Sequence, residues 1–227
     1  MRYSTVLFDL DHTLFDTHAS EAAAFDATMR SADLDSSSEI LATYDRINQA
    51  LWRRVEGGEF SPNDIKVRRF EEFLAEVGAD GDPVAMAEAF VAGLAENGEL
   101  YSDSLATLEA LSPACRLALI TNGLGSVQRG RLRRLGLEER FEAVSISGEL
   151  GMSKPGREIF DHTLTELGVD DRSGVVMVGD SLASDIRGGS NAGIQTVWFN
   201  PNGLPNTTDV EPTHEVRGLD ELFSVVG

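Results

Sequence analysis

The sequence predicts an α/β protein with a parallel-sheet core that is discontinuous in sequence, and a block of helices inserted after the first strand. Three observations predict it. A strand-like apolar run at residues 6–14 precedes a stretch, 17–98, that carries only helical periodicity. From residue 102 onward, strand-like and helical patterns alternate as in βαβ units. The strand-like runs are nearly continuous in apolar residues, as expected of strands covered on both faces.

The first run, VLFDLDHTL, ends in two aspartates one residue apart, Asp9 and Asp11. On extended chain, residues i and i+2 point the same way, so both carboxylates converge beyond the strand's carboxyl end. Open α/β sheets bind their ligands there. Neighbouring carboxylates repel unless a cation lies between them or one keeps its proton, so the pair implies a hard divalent metal or acid–base chemistry. In a chain with 38 acidic residues such a pair also arises by chance, and taken alone a turn or a surface acidic cluster is an equal reading.

The helical block follows. Residues 21–29, 40–55, 62–77 and 83–94 carry apolar positions at intervals of three and four. This divides the chain into a core of residues 1–16 and 99–227 and an insertion of residues 17–98, each long enough for its own hydrophobic centre.

Residues 117–125, LALITNGLG, form a second apolar run, closed by Thr121, Asn122 and a glycine. A hydroxyl, an amide and a helix start suit a phosphate, although an ordinary helix cap has the same composition. Residues 151–160, GMSKPGREIF, place Lys154 before a proline and a helix. Lys66 and Lys154 are the chain's only lysines, so a compact point charge at 154 suits a phosphate or carboxylate. A solvated lysine near a helix start is the alternative. Residues 175–185, VVMVGDSLASD, form another strand that stops at Gly179 and Asp180, with Asp185 on the loop or helix start beyond. One of these aspartates can complete a magnesium site with Asp9, and either can cap a helix. The stretch 200–207, rich in Pro, Asn and Gly, reads as an exposed loop.

The formal charge of −19 repels nucleic-acid backbones and anionic membranes, so neither is an expected partner. It does not bar a small phosphorylated metabolite, because local cations and helix ends set the field at a site. Acid excess with so few lysines resembles proteins of highly saline cytoplasm, where salt screens self-repulsion. No signal peptide or membrane-length apolar segment is present, and a cytoplasmic protein, monomeric or homodimeric, is expected. Cys115 is the sole cysteine, which excludes an intrachain disulfide and a cysteine zinc cluster. The four histidines lack metal-ligand spacing, and His12 is expected to orient its neighbours, not to catalyse.

In order, DLDHT, ITNG, SKP and GDSLASD resemble the four motifs of the haloacid dehalogenase-like hydrolase superfamily. The resemblance spans nearly the whole chain. It implies a Rossmann-like core with a mobile helical cap that closes over the site and selects the substrate. It further implies a Mg²⁺-dependent phosphomonoester hydrolase in which Asp9 becomes an aspartyl phosphate while Asp11 protonates the leaving oxygen and later activates water. Asp9, the Asp11 backbone carbonyl and Asp180 would hold Mg²⁺, with Asp185 positioning metal-bound water or the lysine. Thr121, the Asn122 backbone and Lys154 would bind the phosphoryl group, and Thr13 would orient the loop carrying Asp11.

Residues 48–74, together with ITNG, residues 131–141 and residues 176–200, resemble bacterial pyrimidine nucleotidases and the related N-acylneuraminate-9-phosphatases. A nucleoside monophosphate is the implied substrate, with Phe15, Trp52 or Phe60 stacking on the base and Arg53 or Arg54 meeting polar groups. The same aromatics also suit the packing of cap helices against one another. Phosphatases of sugar phosphates or phosphoglycolate, a phosphomutase, a 2-haloacid dehalogenase and a non-catalytic binding module stay open. Asp11 favours a phosphatase over a dehalogenase, which lacks an acid at that position.

Overall fold

The first strand of the chain is the middle of the sheet. The computed structural model describes residues 2–227, and its strands are β1 (Thr5–Phe8), β2 (Arg116–Thr121), β3 (Ala143–Ile146), β4 (Val175–Gly179), β5 (Gln195–Phe199) and β6 (His214–Val216). All pairings are parallel, in the order β3-β2-β1-β4-β5-β6. This is the doubly wound Rossmann-type order, whose switch point lies between β1 and β4. β1 is fully buried, so its run of Val6, Leu7 and Phe8 is apolar at every position and not at alternate ones.

Alternate residues of the strands feed two different apolar layers. Val6, Phe8, Leu119, Val176 and Val178 face one side, and Leu7, Ala118, Ile120 and Met177 face the other. The insertion consists of α1 (Thr17–Ser31), α2 (Ser38–Glu56), α3 (Ile65–Val77) and α4 (Pro83–Glu96). Asp16 caps α1 through the Ala19 N–H, and Asp82 caps α4, which has proline in its first turn. The four helices enclose a separate aromatic core in which Tyr44 packs on Phe25, Phe70, Phe73 and Phe90, with ring centroids 4.8–6.1 Å apart.

The remaining helices are α5 (Ser104–Leu111), α6 (Gly125–Arg134), α7 (Ser147–Leu150), α8 (Arg157–Glu166), α9 (Arg187–Asn191) and α10 (Leu222–Val226), with a π-helical turn at Leu182–Ile186. Leu124 and Val127, at the start of α6, join the aromatic core of the insertion and seat it on the sheet layer. The chain leaves and re-enters that layer through two adjacent connections: the Asp16 N–H donates to the Glu99 carbonyl at 2.9 Å, and the Tyr101 N–H to the Leu14 carbonyl at 3.0 Å. Phe15 lies in this ribbon, bridged to Leu100 and fully buried.

Candidate active site

Asp9 and Asp180 follow directly on β1 and β4, the two strands that flank the switch point. Between them sits Thr13, whose hydroxyl lies 3.3 Å from Asp9 Oδ2 and accepts the Asp180 N–H at 3.1 Å. Thr13 therefore locks the two strand ends together. The chain turns at His12, which takes a left-handed φ of 61°, a conformation uncommon outside glycine, and this turn brings Thr13 and Thr17 back to the site.

Lys154 is 1% exposed, and its Nζ lies 2.5 Å from Asp9 Oδ1, 2.6 Å from Asp185 Oδ1 and 2.9 Å from the Ile120 carbonyl. All three ammonium donors are thus used, which a planar guanidinium would not reproduce in the same space. The backbone of Lys154 is held by the Asn122 side chain, whose Nδ2 donates to the Lys154 carbonyl while its Oδ1 accepts the Lys154 N–H. Asp185 also accepts the Ser181 N–H at 3.0 Å. Gly179 is required beside it: a Cβ there would stand 2.2 Å from the Asp185 carboxyl carbon.

Oxygens of Asp9, Asp180 and Asp185 lie within 4.8 Å of one another, a set of hard anionic donors suited to a divalent cation. Their electrostatics agree. Burial pushes Asp9 up to about 8, with Lys154 opposing and Asp185 and Asp11 adding to the rise. Burial, Asp185 and Asp9 likewise raise Asp180. Burial alone would lower Lys154, but Asp185 and Asp9 hold it above the ordinary lysine value. The cluster carries three carboxylates against one ammonium, and a divalent cation would neutralise the excess.

Asp11 occupies a different environment. Its carboxylate receives Arg131 Nη1 at 2.6 Å, Gln128 Nε2 at 2.5 Å and the Thr17 hydroxyl at 2.7 Å, and it stands 3.5 Å from the Thr121 hydroxyl. Burial would raise its pKa, but Arg131 and the Thr17 hydrogen bond hold it below the ordinary range. Two aspartates one residue apart are thereby pushed in opposite directions, the pattern expected of carboxylates with different tasks.

A cavity of about 420 Å³ opens above both carboxylates. Its floor includes Asp9, Asp11, Asn122, Lys154, Asp180 and Asp185, and its roof is a stripe of α2 containing Asp45, Asn48, Gln49, Trp52, Arg53 and Glu56. Trp52 and Arg53 therefore line the space above the carboxylates. Phe15 does not: it is sealed in the connection ribbon beneath the Arg131 guanidinium, 4.4 Å from its ring centroid, and cannot meet a substrate. Phe60 and Arg54 also lie off the cavity wall, because the Phe60 ring is sandwiched between Arg54 and Arg68. Sequence reasoning missed Gln128, Arg131, Asn48 and Arg69, all polar side chains buried on helices. The available signal was a polar residue falling on the apolar stripe of its helix, as Asn48 does between Ile47 and Leu51.

A buried aspartate–lysine–aspartate cluster at the switch point of a parallel sheet, roofed by inserted helices, marks a doubly wound α/β protein with a carboxylate-rich ligand site. Residues 3–193 match the family model of the haloacid dehalogenase-like hydrolases, and the chain belongs to that family. It is 32% identical to the HAD-hydrolase YfnB of Bacillus subtilis over 99% of this chain and 96% of that one. A crystal structure of YfnB bound to magnesium, described as revealing interdomain movement, superposes with a TM-score of 0.93 over the whole of both chains. The chain is also 33% identical to the pyrimidine 5'-nucleotidase PynA of Streptococcus pneumoniae, over 98% of this chain and 94% of the relative. Its identity to the pyrimidine 5'-nucleotidase YjjG of Escherichia coli is 33%, over 98% of this chain and 97% of the relative. Among the described residues, no helix is long and apolar enough to cross a membrane.

Proposed function

We propose that the protein is a Mg²⁺-dependent phosphomonoesterase that forms an aspartyl phosphate on Asp9, and that its substrates are nucleoside monophosphates. The observation that carries this reading is the opposed pair of carboxylates on one cavity floor, Asp9 against Lys154 and Asp11 against Arg131. A dehalogenase reaction needs the first carboxylate alone. The second is a proton carrier for a leaving oxygen.

Asp9 Oδ attacks phosphorus as the bond to the leaving oxygen breaks. Asp11, which Arg131 holds as a carboxylate in the free protein, takes up a proton when the negative phosphate is placed beside it and delivers that proton to the leaving oxygen. The resulting Asp11 carboxylate then takes a proton from water, which attacks phosphorus and frees Asp9. Lys154, with Thr121 and the Asn122 backbone, offsets charge on the transferring group. Asp9, Asp180 and the Asp11 carbonyl would hold Mg²⁺, with Asp185 fixing Lys154; the ion supplies charge neutralisation at the phosphoryl oxygens. Residues 17–98 serve as the cap and bring α2 over the leaving group.

The nucleotide assignment is supported by the two nucleotidase relatives and by a cavity within the roughly 300–1,000 Å³ typical of small-molecule sites. The acid-rich composition supports a protein of saline cytoplasm, so the test is made in concentrated KCl with Mg²⁺. Phosphate release is measured from nucleoside monophosphates, sugar phosphates and phosphoglycolate, for the native protein and Asp9→Asn. Release from nucleotides that vanishes in the variant and in chelator supports the reading. Release confined to sugar phosphates overturns the nucleotide assignment, and no release from any ester overturns the phosphatase.

A further inference from the structure

Among the described residues, one buried side-chain nitrogen or oxygen lacks a hydrogen-bond partner, Oδ1 of Asn48, and Asn48 is one of the residues that line the cavity. Asn48 is 3% exposed, and its Nδ2 donates to Glu21 Oε1 at 3.1 Å, which fixes the end of the amide that is left without a partner. Buried acceptors are ordinarily satisfied, so a single orphan on a cavity wall is a position kept for a ligand donor.

Arg69, on α3, lines the same cavity and is equally buried. It forms no ion pair within the described residues. Its Nε donates to the Ile65 carbonyl at 3.1 Å, and Nη1 reaches the hydroxyl of Tyr44, one turn before Asn48 on α2, at 3.4 Å. A guanidinium has five N–H groups. Two are spent here, so the wall offers several strong donors and one acceptor. Trp52, one turn after Asn48 on α2, shares that wall and adds a flat apolar face.

We propose that Asn48 and Arg69 are specificity-determining residues that read the edge of a planar heterocycle on the leaving group, with an imide, an N–H between two carbonyl oxygens, as the matching chemistry. Asn48 Oδ1 accepts the ring N–H and Arg69 donates to a flanking carbonyl oxygen. A ring nitrogen without a hydrogen fails at Asn48. The uracil type of base carries this edge. The inference rests on the nucleotidase reading and assigns the residues that select among its substrates.

The test compares kcat/KM for uridine monophosphate and its N3-methyl analogue, in the native protein and in Asn48→Leu, which keeps the side-chain size and removes the acceptor. Methylation is expected to lower kcat/KM by roughly tenfold or more in the native protein. In Asn48→Leu the ratio of the two substrates should fall towards one; each ratio is taken on a single preparation, so partial unfolding does not affect it. Equal rates on both substrates in the native protein overturn the proposal, and so does discrimination that persists in Asn48→Leu, which would make it steric. Ribose 5-phosphate separates the two readings. Turnover of ribose 5-phosphate with none of uridine monophosphate removes the nucleotidase assignment itself, whereas turnover of both nucleotides without discrimination removes only the role of Asn48 and Arg69.

Discussion

Arg131 binds Asp11 and both ends of the helical insertion with one guanidinium. Nη1 is 2.6 Å from Asp11 Oδ1, Nη2 is 3.2 Å from the Ser20 hydroxyl on α1, and Nε is 3.0 Å from the Leu94 carbonyl on α4. Because Arg131 is 3% exposed, this is a buried anchor and not a surface pair. Arg131→Met should destabilise the protein by about 3 kcal/mol in denaturant unfolding, at the low end for a broken buried pair because Asp11 is partly hydrated. Hydrogen exchange should accelerate at residues 94–101, and kcat should fall. Unchanged exchange there would mean that the guanidinium does not secure the insertion.

Lys154→Met leaves Asp9 and Asp185 buried without their shared cation. The expected cost is about 3–5 kcal/mol by chemical denaturation, together with loss of turnover. Lys154→Arg should not restore activity, since the three ammonium contacts have no planar equivalent.

Mg²⁺ should raise the melting temperature. At a hundredfold excess over Kd, linkage adds about 2.7 kcal/mol, or roughly 5–10 °C for a chain of this size. Asp180→Asn should abolish that gain without lowering the melting temperature in chelator, because it removes one of three mutually repelling carboxylates.

Glu21 gives a pH signature away from the cluster. Burial raises its pKa, with Arg69 opposing and Asp11 adding to the rise. A raised folded-state value contributes stability that is fully present below the ordinary carboxylate range and is lost as pH climbs through the raised one. Glu21→Gln, which mimics the protonated form, should match the native protein in acid and become progressively more stable relative to it as pH rises. Urea unfolding at several pH values measures this, and a constant difference would contradict it.

Gly179→Ala places a methyl group against the Asp185 carboxylate, which must move and take Lys154 with it. A loss of about 1–3 kcal/mol and a sharp drop in kcat are expected. A variant of native activity would show that Asp185 can shift without disturbing the lysine.

The sheet layer was legible in the sequence because β1, β2 and β4 are buried on both faces and therefore read as unbroken apolar runs. The helical runs at 40–55 and 83–94 fall within α2 and α4, whose ends are marked by Gly57 and by the Asp82–Pro83 start. β6 was not legible, since three edge residues after an irregular loop leave no pattern. Asp9, Thr121 and Asp180 announced themselves by standing at strand ends. Arg131 was harder to read: it is one of four arginines in α6, and only its place on the stripe of Val127 and Leu132 distinguishes it from the others. Phe15 misled for a related reason, because an aromatic beside a motif looks the same whether it faces a ligand or fills a hinge.

The position of β1 at the middle of the sheet sets a timetable for the growing chain. Thr5 pairs with Arg116 on one side and Val175 on the other, so the strand that leads into Asp9 has no neighbour until about half of the polypeptide has been made, and lacks its second until β4 follows. The helices of the insertion depend on local contacts and can pack in the meantime. Asp9 meets Lys154 and Asp185 only after residue 185 has emerged. A chain that stops short of residue 185 therefore lacks the complete cluster, and the surroundings of Asp9 are finished by the last half of its own sheet.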